Sequence, residues 1–169
     1  MNKICKKSMS FQDCELAILR LQVDKAQNKM SRRLIESSET SQILKIVENF
    51  IMKKKLVCYG GIAINALLPK NDKIYNEDID IPDYDFFTAN GVEDAKSLAD
   101  EFYKKGFTEV EAKAAQHHNT FKVYVNFMAV ADITNIPEEL FKTIRKRAKL
   151  VKGIYYTDEN FLRMGMYLE

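Results

Sequence analysis

Two adjacent glycines, two aspartates one residue apart and a third aspartate further on are the residues whose types and spacing can do chemistry. Gly60 and Gly61 lie in Leu56-Val-Cys-Tyr-Gly-Gly-Ile-Ala-Ile-Asn65. Asp83 and Asp85 lie in Asp80-Ile-Pro-Asp-Tyr-Asp-Phe-Phe87, and Asp132 in Met128-Ala-Val-Ala-Asp-Ile-Thr134. The first stretch reads as strand, tight turn and helix start. Glycine lacks a Cβ, so the backbone can turn sharply and approach a ligand. The amides that open the following helix favour an anion. In a strand, residues i and i+2 share a face, so Asp83 and Asp85 project together while Tyr84 points into the core. Two carboxylates that close repel unless a cation neutralises them. Magnesium takes one or two carboxylates plus phosphate oxygens, and a two-ion site for phosphoryl displacement needs a further carboxylate. Asp132, an acid inside a short apolar run, is the candidate, because a charge there is costly to bury unless paired or metal-bound. Together the residues suggest a site that holds a triphosphate and positions divalent metal. Each also has a plainer reading: an ordinary Gly-Gly turn, a solvated loop end, an acid on an exposed strand edge.

The elements that must position these residues follow from local pattern. Ser10-Phe-Gln-Asp13 has capping-box form with Asp for Glu, and Phe11, Cys14, Ile18 and Leu21 continue at helical spacing, which predicts a helix from Ser10 to Ile35. Ile43, Ile46, Val47, Phe50 and Ile51 predict a second, amphipathic helix. Leu56–Tyr59 reads as a strand, Ile62–Leu68 as a helix ended by Pro69, and 70–80 as a polar surface loop. Asp83–Phe87 is the carboxylate strand. Asn90-Gly-Val-Glu93 again has capping-box form and opens a helix that closes near Gly106. A half-exposed strand near Val110 follows, then a loop over 114–119. Thr120–Asn126 and Val130–Ile133 form either two strands joined near Phe127 or one bent strand. Pro137-Glu-Glu139 and Thr157-Asp-Glu159 open the last two helices. This order predicts a small mixed sheet with helices on one side.

The totals fit such a domain. The chain has 169 residues, 46% hydrophobic and 30% charged, with no apolar run long enough to cross a membrane as a helix. The basic N-terminus lacks the apolar segment of a secretory signal. Cys5, Cys14 and Cys58 show no CxxC spacing and read as reduced thiols of a cytosolic protein. The adjacent His117 and His118 offer no zinc-site spacing with them; they read as loop residues, with contact to a ligand near the site as the alternative. Net charge is only +2, but its distribution is uneven. Glu77, Asp78, Asp80, Asp83 and Asp85 form an acidic pole. Lys142, Arg145, Lys146, Arg147, Lys149 and Lys152 form a basic run, in which Arg145, Lys146 and Arg147 are candidates for contact with a polyanion. That polarity suits an enzyme acting on a polyanion, with a solvated helix face as the plainer alternative.

The glycine pair, Asp-x-Asp strand and later Asp form the pattern of the polymerase-β-like nucleotidyltransferases. Tyr59-Gly-Gly-Ile-Ala-Ile-Asn-Ala-Leu-Leu-Pro69, Ile81-Pro-Asp-Tyr-Asp-Phe-Phe87, Glu111-Ala-Lys113, His117-His-Asn-Thr-Phe-Lys-Val-Tyr-Val-Asn-Phe127 and Ala131-Asp-Ile-Thr134 resemble, more closely, the catalytic subunits of poly(A) polymerases of large cytoplasmic DNA viruses. The resemblance runs from Leu56 to the end of the chain. It implies an α+β nucleotidyltransferase fold over 56–169 preceded by a helical segment over 1–55. It implies transfer of AMP from ATP to the 3′-hydroxyl of RNA, with Mg2+ or Mn2+ as cofactor. ATP, an RNA 3′ end and a processivity subunit are the implied partners, in host cytoplasm or virion and without a membrane. Asp83 and Asp85 match the metal-binding pair, Asp132 the third catalytic acid, and Gly60 and Gly61 the phosphate-cradling turn. Asn119 stands where the pattern has Gly, and Asn tolerates the left-handed conformation such a turn needs. Family members are longer, so a catalytic portion truncated before its C-terminal domain, weakly active and distributive by itself, is expected. The alternatives are another enzyme of the superfamily acting on a protein or small molecule, or a non-catalytic scaffold of the same fold.

Overall fold

The computed structural model describes residue 5 and residues 8–35, 37–75 and 82–168, with backbone alone at 26–35 and 168. Two helices lead. α1 (Phe11–Ile35) is capped as predicted: Asp13 N donates to Ser10 Oγ at 3.2 Å, and Ser10 Oγ donates to Asp13 Oδ2 at 2.7 Å. α2 (Ser38–Lys54) opens with Thr40 N donating to Ser37 Oγ at 3.0 Å and ends on Lys55 in the left-handed region. Its predicted apolar stripe is buried, with Ile43, Val47, Phe50 and Ile51 all in the core. The expectation of three reduced thiols is corrected: Cys5 and Cys14 form a disulfide, their Cα atoms 5.2 Å apart. Cys58 is a free, buried thiol.

One seven-stranded mixed sheet follows, ordered β3-β4-β5-β2-β1-β7-β6. The elements run β1 (Val57–Cys58), α3 (Gly60–Leu67), β2 (Tyr84–Thr88), α4 (Gly91–Lys104), β3 (Val110–Ala114), β4 (Thr120–Val125), β5 (Met128–Asn135), α5 (Glu138–Arg147), β6 (Lys149–Val151), β7 (Ile154–Tyr156) and α6 (Glu159–Leu168). The pairs β2–β5 and β1–β7 are parallel and the other four antiparallel. α2 and α4 bury their stripes in the main core, where Phe50, Phe86, Leu98, Phe102 and Ile133 are shielded from water. α2, numbered by sequence within the N-terminal helical segment, is thus part of that core. A smaller cluster of Val57, Phe87 and Ile144, joined by Phe161, brings in α5 and α6. Phe86 and Phe87 divide between the two clusters because neighbouring strand residues face opposite ways.

Several details depart from the sequence reading. The segment left open between two strands and one is a hairpin, turned by Asn126 (φ 50°) and Phe127 (φ 63°). Two positive φ values are what a two-residue type I′ turn requires. A second hairpin, β6–β7, replaces what read as a continuous basic run; Lys152 (φ 49°) and Gly153 (φ 88°) make its turn. The capping box at Asn90 does not form: no side-chain cap bond comes from Asn90. Instead Gly91 N donates to Asn135 Oδ1 at 2.8 Å and Asn90 N to Thr88 Oγ1 at 3.0 Å. Lys70–Asp72 forms one 3-10 turn within the expected loop, and Glu77, Asp78 and Asp80 lie outside the described residues.

Asp94 ties three elements together. It is 4% exposed, ion-pairs with Lys54 of α2 and accepts from the Thr88 hydroxyl of β2. Removing one partner of a buried pair strands the other. Lys54 keeps 35% of its side chain in water, which softens that cost. Asp94→Ala should therefore lose about 2–3 kcal/mol of stability in urea unfolding, with an unchanged denaturant slope. A loss well below about 1 kcal/mol would show the pair to be solvated and unimportant.

Candidate active site

The glycine turn joins β1 to α3. Tyr59 is extended (φ −136°), and Gly60 follows with φ +68°. That value favours glycine, and space demands it as well: a Cβ on Gly60 would lie 2.7 Å from Asp85 Oδ2. A Cβ on Gly61 would overlap the Tyr75 hydroxyl, so there the constraint is space rather than conformation. The helix starts at Gly60, two residues earlier than the sequence suggests, and has no side-chain cap. Its first-turn amides retain their capacity for an anion. Tyr59 N donates to Asp85 O at 3.0 Å, which fixes the turn against the carboxylate strand.

The three aspartates gather on one face. Asp83 sits one residue ahead of β2 rather than within it, and Asp85 lies in β2. Parallel pairing sets Asp85 beside Asp132 of β5, and antiparallel pairing sets Asp132 beside Lys122 of β4. The β4–β5 ladder slips by one residue between Val123 and Tyr124, just past that pair; such bulges re-aim neighbouring side chains. Lys122 Nζ lies 3.0 Å from Asp132 Oδ1 and 3.9 Å from Asp83 Oδ2. Burial, then the charge of Asp132, raises the Asp83 carboxyl above the usual aspartate range, and Lys122 opposes the shift. Burial alone would lower the Lys122 ammonium, yet Asp132 and Asp83 hold it above its ordinary value. Beside the acids the Tyr59 ring stacks on Phe87 at 4.0 Å, and its hydroxyl meets Thr134 Oγ1 at 2.8 Å. Burial, and then the nearby aspartates against the Thr134 bond, pushes the Tyr59 phenol up to about 12.

Tyr84 points away from this face, as its place between two aspartates predicts, and donates to Glu48 Oε1 at 2.6 Å. A cleft of about 580 Å³ runs there between α2, α3 and the β6–β7 hairpin and reaches Asp83 and Asp85. No three metal-ligating side chains among the described residues stand close enough to hold an ion as they are. The donor set nevertheless fits one. It consists of carboxylates, which suit magnesium or manganese. Asp132 Oδ1 is shielded from water and has no aligned hydrogen bond among the described residues, only the Lys122 ion pair.

The basic run is less free than its sequence suggests. Lys142 pairs with Glu138 at 2.9 Å and Glu139 at 3.2 Å, and Lys149 pairs with Glu159. Arg145 lies over the Tyr155 ring at 5.0 Å, and Lys146 and Arg147 are exposed at the end of α5. Among the described residues no acid pairs with these three. His117 and His118 are exposed in the β3–β4 turn, where Asn119 takes the expected left-handed conformation (φ 61°). Lys122 is the site residue that sequence reasoning missed. Its signal was a lysine between Thr120 and Tyr124 on the polar side of an alternating strand.

The sequence model of the "Poly(A) polymerase catalytic subunit" family matches residues 45–169. A protein of African swine fever virus (isolate Pig/Kenya/KEN-50/1950), provisionally assigned as a poly(A) polymerase catalytic subunit, is 40% identical over 147 residues, 86% of this chain and 30% of its own. A similarly assigned protein of Acanthamoeba polyphaga mimivirus is 33% identical over 127 residues, 73% of this chain and 21% of its own. The crystal structure of the Megavirus polyadenylate synthase superposes with a TM-score of 0.78 at 28% identity, over 98% of this chain and 34% of that one. The chain thus spans about a third or less of the length of these proteins. It belongs to the poly(A) polymerase catalytic subunit family and has the polymerase-β-like fold expected from its motifs.

The crowding of Asp83 can be read in stability. A carboxyl raised in the folded state holds its proton more tightly folded than unfolded, so ionising it costs the folded state. The cost is absent below the ordinary aspartate value and complete once the pH has passed the raised one. Asp83→Asn should therefore raise the melting temperature at pH 7 in EDTA and flatten the pH dependence above about pH 4. With 43% of the side chain exposed, the gain should stay at or below about 1 kcal/mol, roughly 2–4 °C for a chain of this size. A lower melting temperature would show that attraction to Lys122 outweighs repulsion from Asp132.

Proposed function

We propose that this family member carries the nucleotidyl-transfer centre of an RNA 3′-adenylyltransferase, with residues 56–169 as the catalytic unit and α2 completing its core. One observation carries the reading: strand register sets Asp85 beside Asp132, with Asp83 two residues away and Gly60 against the Asp85 carboxylate. Membership of the family supports ATP as the nucleotide and an RNA 3′ end as acceptor, with a processivity subunit as a partner of the whole protein.

In the transfer, the 3′-oxygen of RNA forms a bond to the α-phosphorus of ATP. The bridging bond to the β-phosphate breaks, and pyrophosphate leaves with the electron pair. Gly60, Gly61 and the opening amides of α3 would receive the phosphates. Asp83, Asp85 and Asp132 would hold Mg2+ or Mn2+, which when bound neutralises phosphate charge and makes the 3′-hydroxyl easier to deprotonate. Asp132 is the base that would accept the hydroxyl proton. The Tyr59–Phe87 stack and the Tyr59–Thr134 bond hold the floor beside it. Arg145, Lys146 and Arg147 would meet RNA phosphates.

Primer extension tests the reading directly: the chain, given a labelled oligo(A) primer and each nucleoside triphosphate in turn, should add AMP. No transfer to RNA alongside labelling of a protein mixture would point to another enzyme of the superfamily. Asp132→Asn should keep ATP binding and lose about 10²–10⁴-fold in turnover, because the amide cannot accept a proton. If ATP binding falls as far as turnover does, Asp132 is a binding ligand and not a base. Reversing the charges of Arg145, Lys146 and Arg147 together should weaken RNA binding and lower its salt slope by about 0.7 for each RNA phosphate that is no longer neutralised. An unchanged slope would return the end of α5 to a solvated helix face.

A further inference from the structure

The acid face carries a cation of its own. Lys122 Nζ stands between two carboxylates, 3.0 Å from Asp132 Oδ1 and 3.9 Å from Asp83 Oδ2. The placement is set by the ladder, since Lys122 and Asp132 are direct partners across β4 and β5. Among the described residues the ammonium is the group that neutralises the shielded Asp132 Oδ1. Its neighbour on β3, Lys113, is engaged elsewhere, 3.0 Å from Glu111 and 4.4 Å above the Tyr124 ring. An ammonium bridging Asp83 and Asp132 lies where a divalent ion shared by them would have to go.

Resting on the reading of Asp83, Asp85 and Asp132 as the metal-holding acids, the geometry points to Lys122 as the resident counter-ion of that site: it bridges Asp83 and Asp132 until a divalent cation binds, and must release Asp132 for the cation to be held. Lysine suits the task. Its charge is compact and sits on a flexible four-carbon stem, so it can swing away without moving the backbone. The side chain already keeps 25% of its surface in water, which leaves it a way out. A lysine with a purely structural role would behave differently. Its loss would destabilise the sheet and leave cation affinity unchanged, or reduce it by letting the acids spread.

The test is Mn2+ binding by calorimetry to the wild-type chain, Lys122→Met and Lys122→Arg, with melting temperatures in EDTA. Lys122→Met removes a like charge from the cation's position and should bind Mn2+ at least about tenfold more tightly. It should melt lower in EDTA and recover in excess Mn2+, while Lys122→Arg binds as the wild type does. Equal or weaker Mn2+ binding by Lys122→Met overturns the inference. Binding by neither wild type nor Lys122→Met would overturn the metal reading of the acids and this inference with it. A second measurement needs no variant: amine labelling of the wild type, read by peptide mass spectrometry, should rise several-fold at Lys122 on saturation with Mg2+ and stay constant at Lys113. Unchanged labelling of Lys122 overturns the inference on its own.

Discussion

Like charges held side by side are the constraint on which the rest of this structure depends. Asp85 and Asp132 sit on adjacent paired strands. At a strand spacing of about 4.8 Å, two unit charges repel by roughly 3–4 kcal/mol at an effective dielectric of about 20. The sheet offsets this from its other face. Phe86, Ile133 and Val123 alternate with the site residues and are fully buried against α2 and α4. Each such side chain contributes about 1.5–3 kcal/mol by leaving water. A one-residue slip of register would move the acids into that core and the apolar residues into solvent. The burial that stabilises the sheet therefore also keeps the carboxylates together.

The glycine turn is coupled to the same strands. β1 is only two residues long, yet it lies between β2 and β7 and pairs with both. The bond from Tyr59 N to Asp85 O continues the β1–β2 ladder into the turn, and Thr157 N donates to Cys58 O at 2.9 Å on the other side. Gly60 then leaves the sheet in a conformation that would cost another residue about 1–2 kcal/mol. The β6–β7 hairpin thus positions the site without contributing an acid, because β7 brackets the strand from which the turn departs.

Much of this was legible in the sequence, and what was missed shares one physical character. The face shared by Asp83 and Asp85, the burial of Tyr84, the turn at Gly60 and the cap at Ser10 are properties of a few consecutive residues, fixed by strand period, missing Cβ or local hydrogen bonds. Lys122 acquires its partner only through the β4–β5 register, and Asn135 caps α4 from 44 residues away. The strands β6 and β7 are triplets, too short for alternation to declare itself, although the Lys152-Gly153 turn between apolar residues was visible. The Cys5–Cys14 pair was set aside because the spacing matches no metal or redox motif.

The same distinction bears on the charge balance of the site. Among the described residues one ammonium serves both Asp83 and Asp132, and it lies closer to Asp132. Asp83 feels Lys122, yet burial and Asp132 win and its carboxyl stays above the usual range. Thr120 and Thr134, next in line on the same face, bond to one another at 3.0 Å, and Thr134 also meets the Tyr59 hydroxyl. The strands that carry the acids thus satisfy their own hydroxyls, while Lys122 does not offset what burial and Asp132 do to the Asp83 carboxyl.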